Sequence, residues 1–172
     1  MLTDEQIKAL LIEPKQLPAN WRKKLRANRK ENTRHTEKQL DVERPQGGIF
    51  RIILRQSVEN PFDFSVILGY ADKQGRLCIL RRYNGRHPSG HTNRLEHKKG
   101  LPNSEFRNTF HIHTATQRYQ EADLDIDGFA EPTSRYHDFG SAVDAFLDDH
   151  QFQQPSLDVS QMQSLFDGQV IQ

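Results

Sequence analysis

Four β-rich runs joined mostly by short turn signals constrain this chain more than any other feature. IFRIILRQS (49–57) follows Pro45-Gln46-Gly47-Gly48, and FDFSVILGY (62–70) follows Asn60-Pro61. RLCILRRYN (76–84) is reached across Asp72-Lys73-Gln74-Gly75. A parallel crossover needs a dozen or more residues, so these runs must pair as antiparallel neighbours. The fourth run, TFHIHTAT (109–116), comes only after a long polar stretch. With the extended polar segment that begins near 33, the pattern predicts an antiparallel sheet of about five strands in an α+β domain.

Helices are expected at both ends. Thr3 with Gln6 forms a capping-box pattern before Ile7, Leu10 and Leu11, and Pro14 stops the run. A second helix is expected after Pro18, with Asn20 as its cap and Trp21 and Leu25 facing inward. Its other positions, from Arg22 to Lys30, are almost all basic, which suits either a phosphate-binding face or solvated surface. Ser141 and Asp144 open a C-terminal helix with Val143, Phe146 and Leu147 inside, and Leu157–Phe166 a last short one. One domain is expected over 1–154: a helical part (1–32), a sheet with a His-rich loop (33–120) and an acidic helical part (121–154). Residues 155–172 form an extension.

Composition narrows the function classes. Of the 172 residues 34% are apolar, enough for a modest core. No apolar run approaches the ~18 residues of a membrane span, and no basic-then-apolar leader opens the chain. The single cysteine, Cys78, lies in the apolar run RLCIL and reads as a small buried hydrophobe. A cytoplasmic protein without a membrane role is expected. The net charge of +1 conceals an asymmetry: 23 Lys and Arg against 12 Asp and Glu over 1–120, then one against 11 over 121–172. Such a basic body with an acidic end points to polyanion contact, to a charged protein partner, or to self-neutralisation.

Chemistry concentrates in Arg81–Gln120. Five of the eight histidines lie there (His87, His91, His97, His111, His113), with eight Lys and Arg and two carboxylates. Alternation along the last strand sends Phe110 and Ile112 one way and His111 and His113 the other. His87 and His91 enter from the loop beside them. Imidazoles so grouped suit general acid–base work on RNA, with His111 and His113 moving protons and His87 or His91 assisting. Arg82, Arg94 and Arg118 would hold phosphate, Tyr83 and Tyr119 would position the substrate, and Asn84 counts with them as substrate-binding. The same cluster can instead hold a metal, bind nucleic acid without catalysis, or simply fix the loop. No HExxH or cysteine pair supports an ion, and the many arginines repel a cation, so no metal or other cofactor is expected. The run Asp123-x-Asp125-x-Asp127-Gly128 opens like a calcium loop, but its twelfth position is Ser134 rather than Glu. Nucleotide-binding and serine-hydrolase fingerprints are absent.

NPFDFSVILGY, RRYNGRHPSGHTNRLE and FHIHTATQRYQ resemble the signature segments of a family of uncharacterised bacterial and phage proteins of similar length. The resemblance runs from Leu2 to about Phe152 and implies no catalytic residue. A looser likeness, carried by Arg82-Tyr83 before a His-rich loop, is to TumE-type toxins of toxin–antitoxin pairs. It implies a small ribonuclease acting on RNA, partnered by an antitoxin. The other expectation is a non-catalytic interaction protein, holding nucleic acid with its basic body or blocking a basic partner with its acidic end.

Overall fold

In a computed structural model, residues 1–27, 34–87, 89–102 and 104–154 are described. The chain opens with α1 (Asp4–Ile12), β1 (Lys15–Gln16), α2 (Trp21–Lys24) and β2 (Arg26–Ala27). Four long strands follow: β3 (His35–Glu43), β4 (Ile49–Ser57), β5 (Phe64–Ala71) and β6 (Leu77–Asn84). The polar segment carries β7 (His91–Thr92), α3 (Arg94–Lys98) and β8 (Glu105–Phe106). The chain then gives β9 (His111–Thr114), α4 (Gln117–Glu121), β10 (Phe129–Pro132), α5 (Phe139–Asp149) and β11 (Phe152–Gln153).

The fold is α+β on an antiparallel sheet, in the order β10-β9-β6-β5-β4-β3-β2. It has seven strands rather than about five, because the two-residue β2 and the four-residue β10 extend its edges. The second helix is a single turn. Asn20, expected to cap it, sits in the left-handed region at φ 57° and makes no capping hydrogen bond, and the chain turns directly into β2. The rest of the basic run, Asn28 to Lys30, lies outside the described residues, as does the helix expected at 157–166. Cys78 is half-buried.

One face of the sheet carries the core. Leu40, Val42, Phe50, Ile52, Phe64, Val66, Leu68, Leu80 and Tyr83 pack against Leu10 of α1, Trp21 of α2, and Ala142 and Phe146 of α5. Asp138 caps α5 by accepting from the Ser141 amide. Lys15 is only 1% exposed and joins the C-terminal ends of two helices. Its ammonium donates to the carbonyls of Leu11 (3.1 Å), Glu13 (2.7 Å) and His150 (3.2 Å), groups that α1 and α5 leave without internal partners. The opposite face is polar and open over β3 to β5, where Glu37, Gln39, Arg51 and Arg55 alternate with the core positions. At its β6–β9–β10 end, the segment that carries β7, α3 and β8 folds back over it. Gly85 makes that return possible. A Cβ there would lie 1.9 Å from the Phe62 carbonyl oxygen, so only glycine lets the chain leave β6 in this direction.

Candidate functional site

The register of β6 and β9 assembles the site. Arg82 lies opposite His113 and Asn84 opposite His111, so four side chains leave one face together. The loop brings His87 and His91 over them. Ring centroids are 5.0 Å apart for His111–His113, 4.5 Å for His91–His113 and 5.5 Å for His87–His111. Phe106 closes the cluster 5.1 Å from the His111 ring. The resulting cavity of about 380 Å³ is lined by Arg82, Asn84, His87, His91, Arg94, His111, His113 and Tyr119, among others. All four histidines expected to act are therefore in one place.

Hydrogen bonds fix how these rings present themselves. His111 Nδ1 lies 2.8 Å from the Thr109 carbonyl and His113 Nδ1 2.8 Å from the Asp127 carbonyl. A carbonyl only accepts, so each Nδ1 carries the proton and each Nε2 keeps its lone pair. Both Nε2 atoms then accept from the amide of Asn84, at 3.3 Å each. Asn84 is itself held by the Ser65 hydroxyl, which donates to its Oδ1 at 2.8 Å. Arg82 Nη2, 3.4 Å from His113 Nδ1, meets a second donor there and makes no hydrogen bond with it. His91 Nε2 stands 3.0 Å from both Asn93 Oδ1 and the Gly128 carbonyl, so it is the donor and Nδ1 the acceptor. The bracing partners are backbone carbonyls and an amide; Asp63 and Glu96 serve other residues.

Burial keeps these imidazoles neutral. Desolvation, reinforced by the nearby Arg82 charge and the neighbouring histidines, lowers His113 to about 2 and His111 to about 4, and it also lowers His91. The two strand histidines are 4% and 1% exposed. They are acceptors at neutral pH, not resting acids.

The arginines are less available than their number suggests. Arg82 pairs with Asp127 at 2.8 Å, yet its Nε is a buried donor with no acceptor among the described residues. The Asp127 carboxyl is raised above its usual range by burial, against the pull of the Arg82 charge. Arg94 is exposed, lines the cavity, and enters no ion pair among the described residues. Arg118, expected to hold phosphate, instead pairs with Glu96 and lies over Phe129 outside the cavity. Glu96 also accepts from Tyr119, whose ring lines the cavity while its hydroxyl, pushed up to about 12 by burial and that carboxylate, points away into α3. Tyr83 corrects the sequence reading outright. It is fully buried on the core face and donates to Asp149 at 2.6 Å, so it cannot touch a substrate.

Among the described residues, no group of three or more His, Cys, Asp and Glu side chains is placed to share a metal ion. No described helix is long and apolar enough to cross a membrane. Much of the acidic part is internally engaged: Asp127 by Arg82, Asp149 by Tyr83 and Arg135, and Asp138 in its cap.

The sequence reading missed a second cavity of about 280 Å³ on the same face. His35, Arg55, Asp63, Ser65 and Ser89 line it with Arg82, Asn84 and His87, which belong to both cavities. The alternation of β4 and β5 could have placed Arg55 and Ser65 on this face. Comparison with protein-family models, with curated proteins and with solved structures finds no match, so the chemistry rests on the site's own geometry.

Proposed function

We propose that this chain is a small nucleic-acid-acting protein, a metal-independent ribonuclease of toxin–antitoxin or phage-conflict type, with the histidine cavity as its phosphodiester site. The observation that carries the reading is the bracing of the imidazoles. His111, His113 and His91 each spend one N–H on a fixed acceptor and keep a lone pair on the other nitrogen, which at His111 and His113 is held by the Asn84 amide, in a cavity that Arg82 and Arg94 also line. That is the arrangement proton transfer requires: a set tautomer, no competing carboxylate on the reactive nitrogen, and cations for the phosphate oxygens.

In this reading a phosphodiester lies against Arg94 and the exposed part of the Arg82 guanidinium. Its charge raises the proton affinity of the imidazoles next to it, because an opposite charge favours their protonated form. Once the substrate displaces the Asn84 amide from it, His111 Nε2 takes the proton of the 2′-hydroxyl, whose oxygen attacks phosphorus. The bond from phosphorus to the 5′-oxygen breaks, and the departing oxygen takes a proton from His87. The products are a 2′,3′-cyclic phosphate and a 5′-hydroxyl, and no co-reactant is consumed. His87 is assigned the acid because it lines both cavities and is only half-buried. The antitoxin partner implied by the TumE-type likeness belongs to the same proposal.

The test is incubation of end-labelled RNA with the purified chain, with and without EDTA. Cleavage that EDTA does not affect, cyclic-phosphate ends, and inert DNA of the same sequence are expected. His87→Ala and His111→Ala should each slow cleavage by about 10²- to 10⁴-fold. His87→Ala should leave the circular dichroism melt unchanged, which separates lost chemistry from lost folding. Binding without cleavage, with steep salt dependence, would replace the enzyme by a nucleic-acid-binding protein. No binding at all would end both readings.

A further inference from the structure

We infer that the site is a groove for at least two consecutive nucleotides of single-stranded RNA, with a second nucleotide subsite around Arg55. The inference rests on the phosphodiester reading above and adds the length and strandedness of the substrate. Sheet register carries it. Arg55 pairs with Ser65, Ser65 with Asn84, and Asn84 with His111, so these residues form one straight row across β4, β5, β6 and β9. Cross-strand partners share a face, and three strand spacings of ~4.8 Å place Arg55 ~14 Å from His111. That is longer than one nucleotide needs.

The two cavities lie along this row and meet at Arg82, Asn84 and His87. The residue assigned as the acid thus stands at their junction, where a scissile phosphate would have a nucleotide on either side. Arg55 is exposed and makes no ion pair among the described residues; it approaches His35 Nδ1 at 3.4 Å. Asp63, the carboxylate of this cavity, is engaged by His35 Nε2 at 3.0 Å, which lessens its repulsion of a phosphate. Cavities of a few hundred Å³ on one sheet face admit a strand with unstacked bases and exclude a duplex.

The experiment measures fluorescence anisotropy of labelled RNA oligonucleotides of one, two and four residues, with 2′-O-methyl groups to block cleavage, on the full chain. Affinity should rise by about tenfold or more from the mononucleotide to the tetranucleotide. Arg55→Gln should remove most of that gain, lower the salt slope for the tetranucleotide by about one, and leave mononucleotide binding as it was. Arg55→Lys should restore most of it. Equal affinity for all lengths, or a tetranucleotide affinity indifferent to Arg55→Gln, would overturn the second subsite while leaving the first intact. Failure of the wild-type chain to bind any of the three would overturn the phosphodiester reading itself, and this inference with it.

Discussion

Acidification from pH 7 to pH 5 is expected to remove a large share of the folding stability of this protein, about 6 kcal/mol. The cause is three buried imidazoles that stay neutral: His111, His113 and His150, which are 1%, 4% and 0% exposed. Burial is the main cause in each case and lowers them to about 4, about 2 and about 3. Cations reinforce it. Arg82, His87 and His91 face His111; Arg82, His91 and His111 face His113; Arg81 and Lys15 face His150. The carbonyls of Thr109 and Asp127 pull the other way without reversing the shift. Unfolded, these histidines bind protons below about pH 6.5; folded, they do not until far lower. The stability these three contribute is therefore complete above about 6.5 and lost as pH falls towards the folded values. Each group contributes a slope of about 1.4 kcal/mol per pH unit, so three give about 4 kcal/mol per unit. A domain of this size has roughly 5 to 15 kcal/mol in all. The carboxyls held low by hydrogen bonds, those of Glu96, Asp72 and Asp138, act mainly below about pH 4.5, and the Asp127 carboxyl, raised by burial, opposes the loss as one group against three. Urea midpoints measured from pH 7.5 to 5 should fall steeply, and His150→Phe should flatten the slope by about a third. A midpoint that stays level down to pH 5 would mean these rings are not buried as described.

The second large effect belongs to Asn84. Its amide is the shared donor to both Nε2 atoms, and its Oδ1 accepts from Ser65. Asn84→Leu keeps the branched shape but strips two buried imidazole nitrogens and the half-buried Ser65 hydroxyl of their partner. At about 1 to 3 kcal/mol for each unsatisfied group, offset where cavity water re-enters, the loss should be about 2 to 4 kcal/mol. Asn84→Asp separates packing from charge. A carboxylate cannot donate to a lone pair, so it is compatible with His111 and His113 only if one becomes protonated on Nε2. That variant should raise the titration of at least one strand histidine towards neutral pH and shift the acid limb of stability with it. If both variants melt like the wild type, Asn84 is not the hub of the cluster.

The parts of the fold readable from sequence were those set by local alternation. The short turns fixed the antiparallel order from β4 to β6, and the period of two in FHIHT put His111 and His113 on one face. Tyr83 shows where such reasoning stops. In RLCILRRYN either parity mixes apolar and charged residues, and a register shift opposite Leu68 and Gly69 lets Leu80 and Tyr83, three apart, both face the core. Which parity is buried depends on α5 returning to that face, and no local signal announces it. Ion pairs were equally hidden. Arg82 with Asp127 and Arg118 with Glu96 join distant segments, so counting arginines near the histidines overstated the cations free for phosphate. Lys15 and His150 are not legible in the sequence because a lone Lys and a lone His carry no pattern; only two helix ends meeting in space give them partners.

The central claim is that neutral imidazoles with pocket-facing nitrogens receive a phosphodiester, and histidine-selective ¹⁵N NMR tests it most directly. Expected are the Nδ1–H tautomer for His111 and His113 at pH 7, no protonation of either above about pH 5, and, when a 2′-O-methyl RNA dinucleotide is added, an upward titration shift of His111 and a chemical-shift change at His87. Rings that titrate near pH 6.5, or that ignore the dinucleotide at saturating concentration, would contradict it.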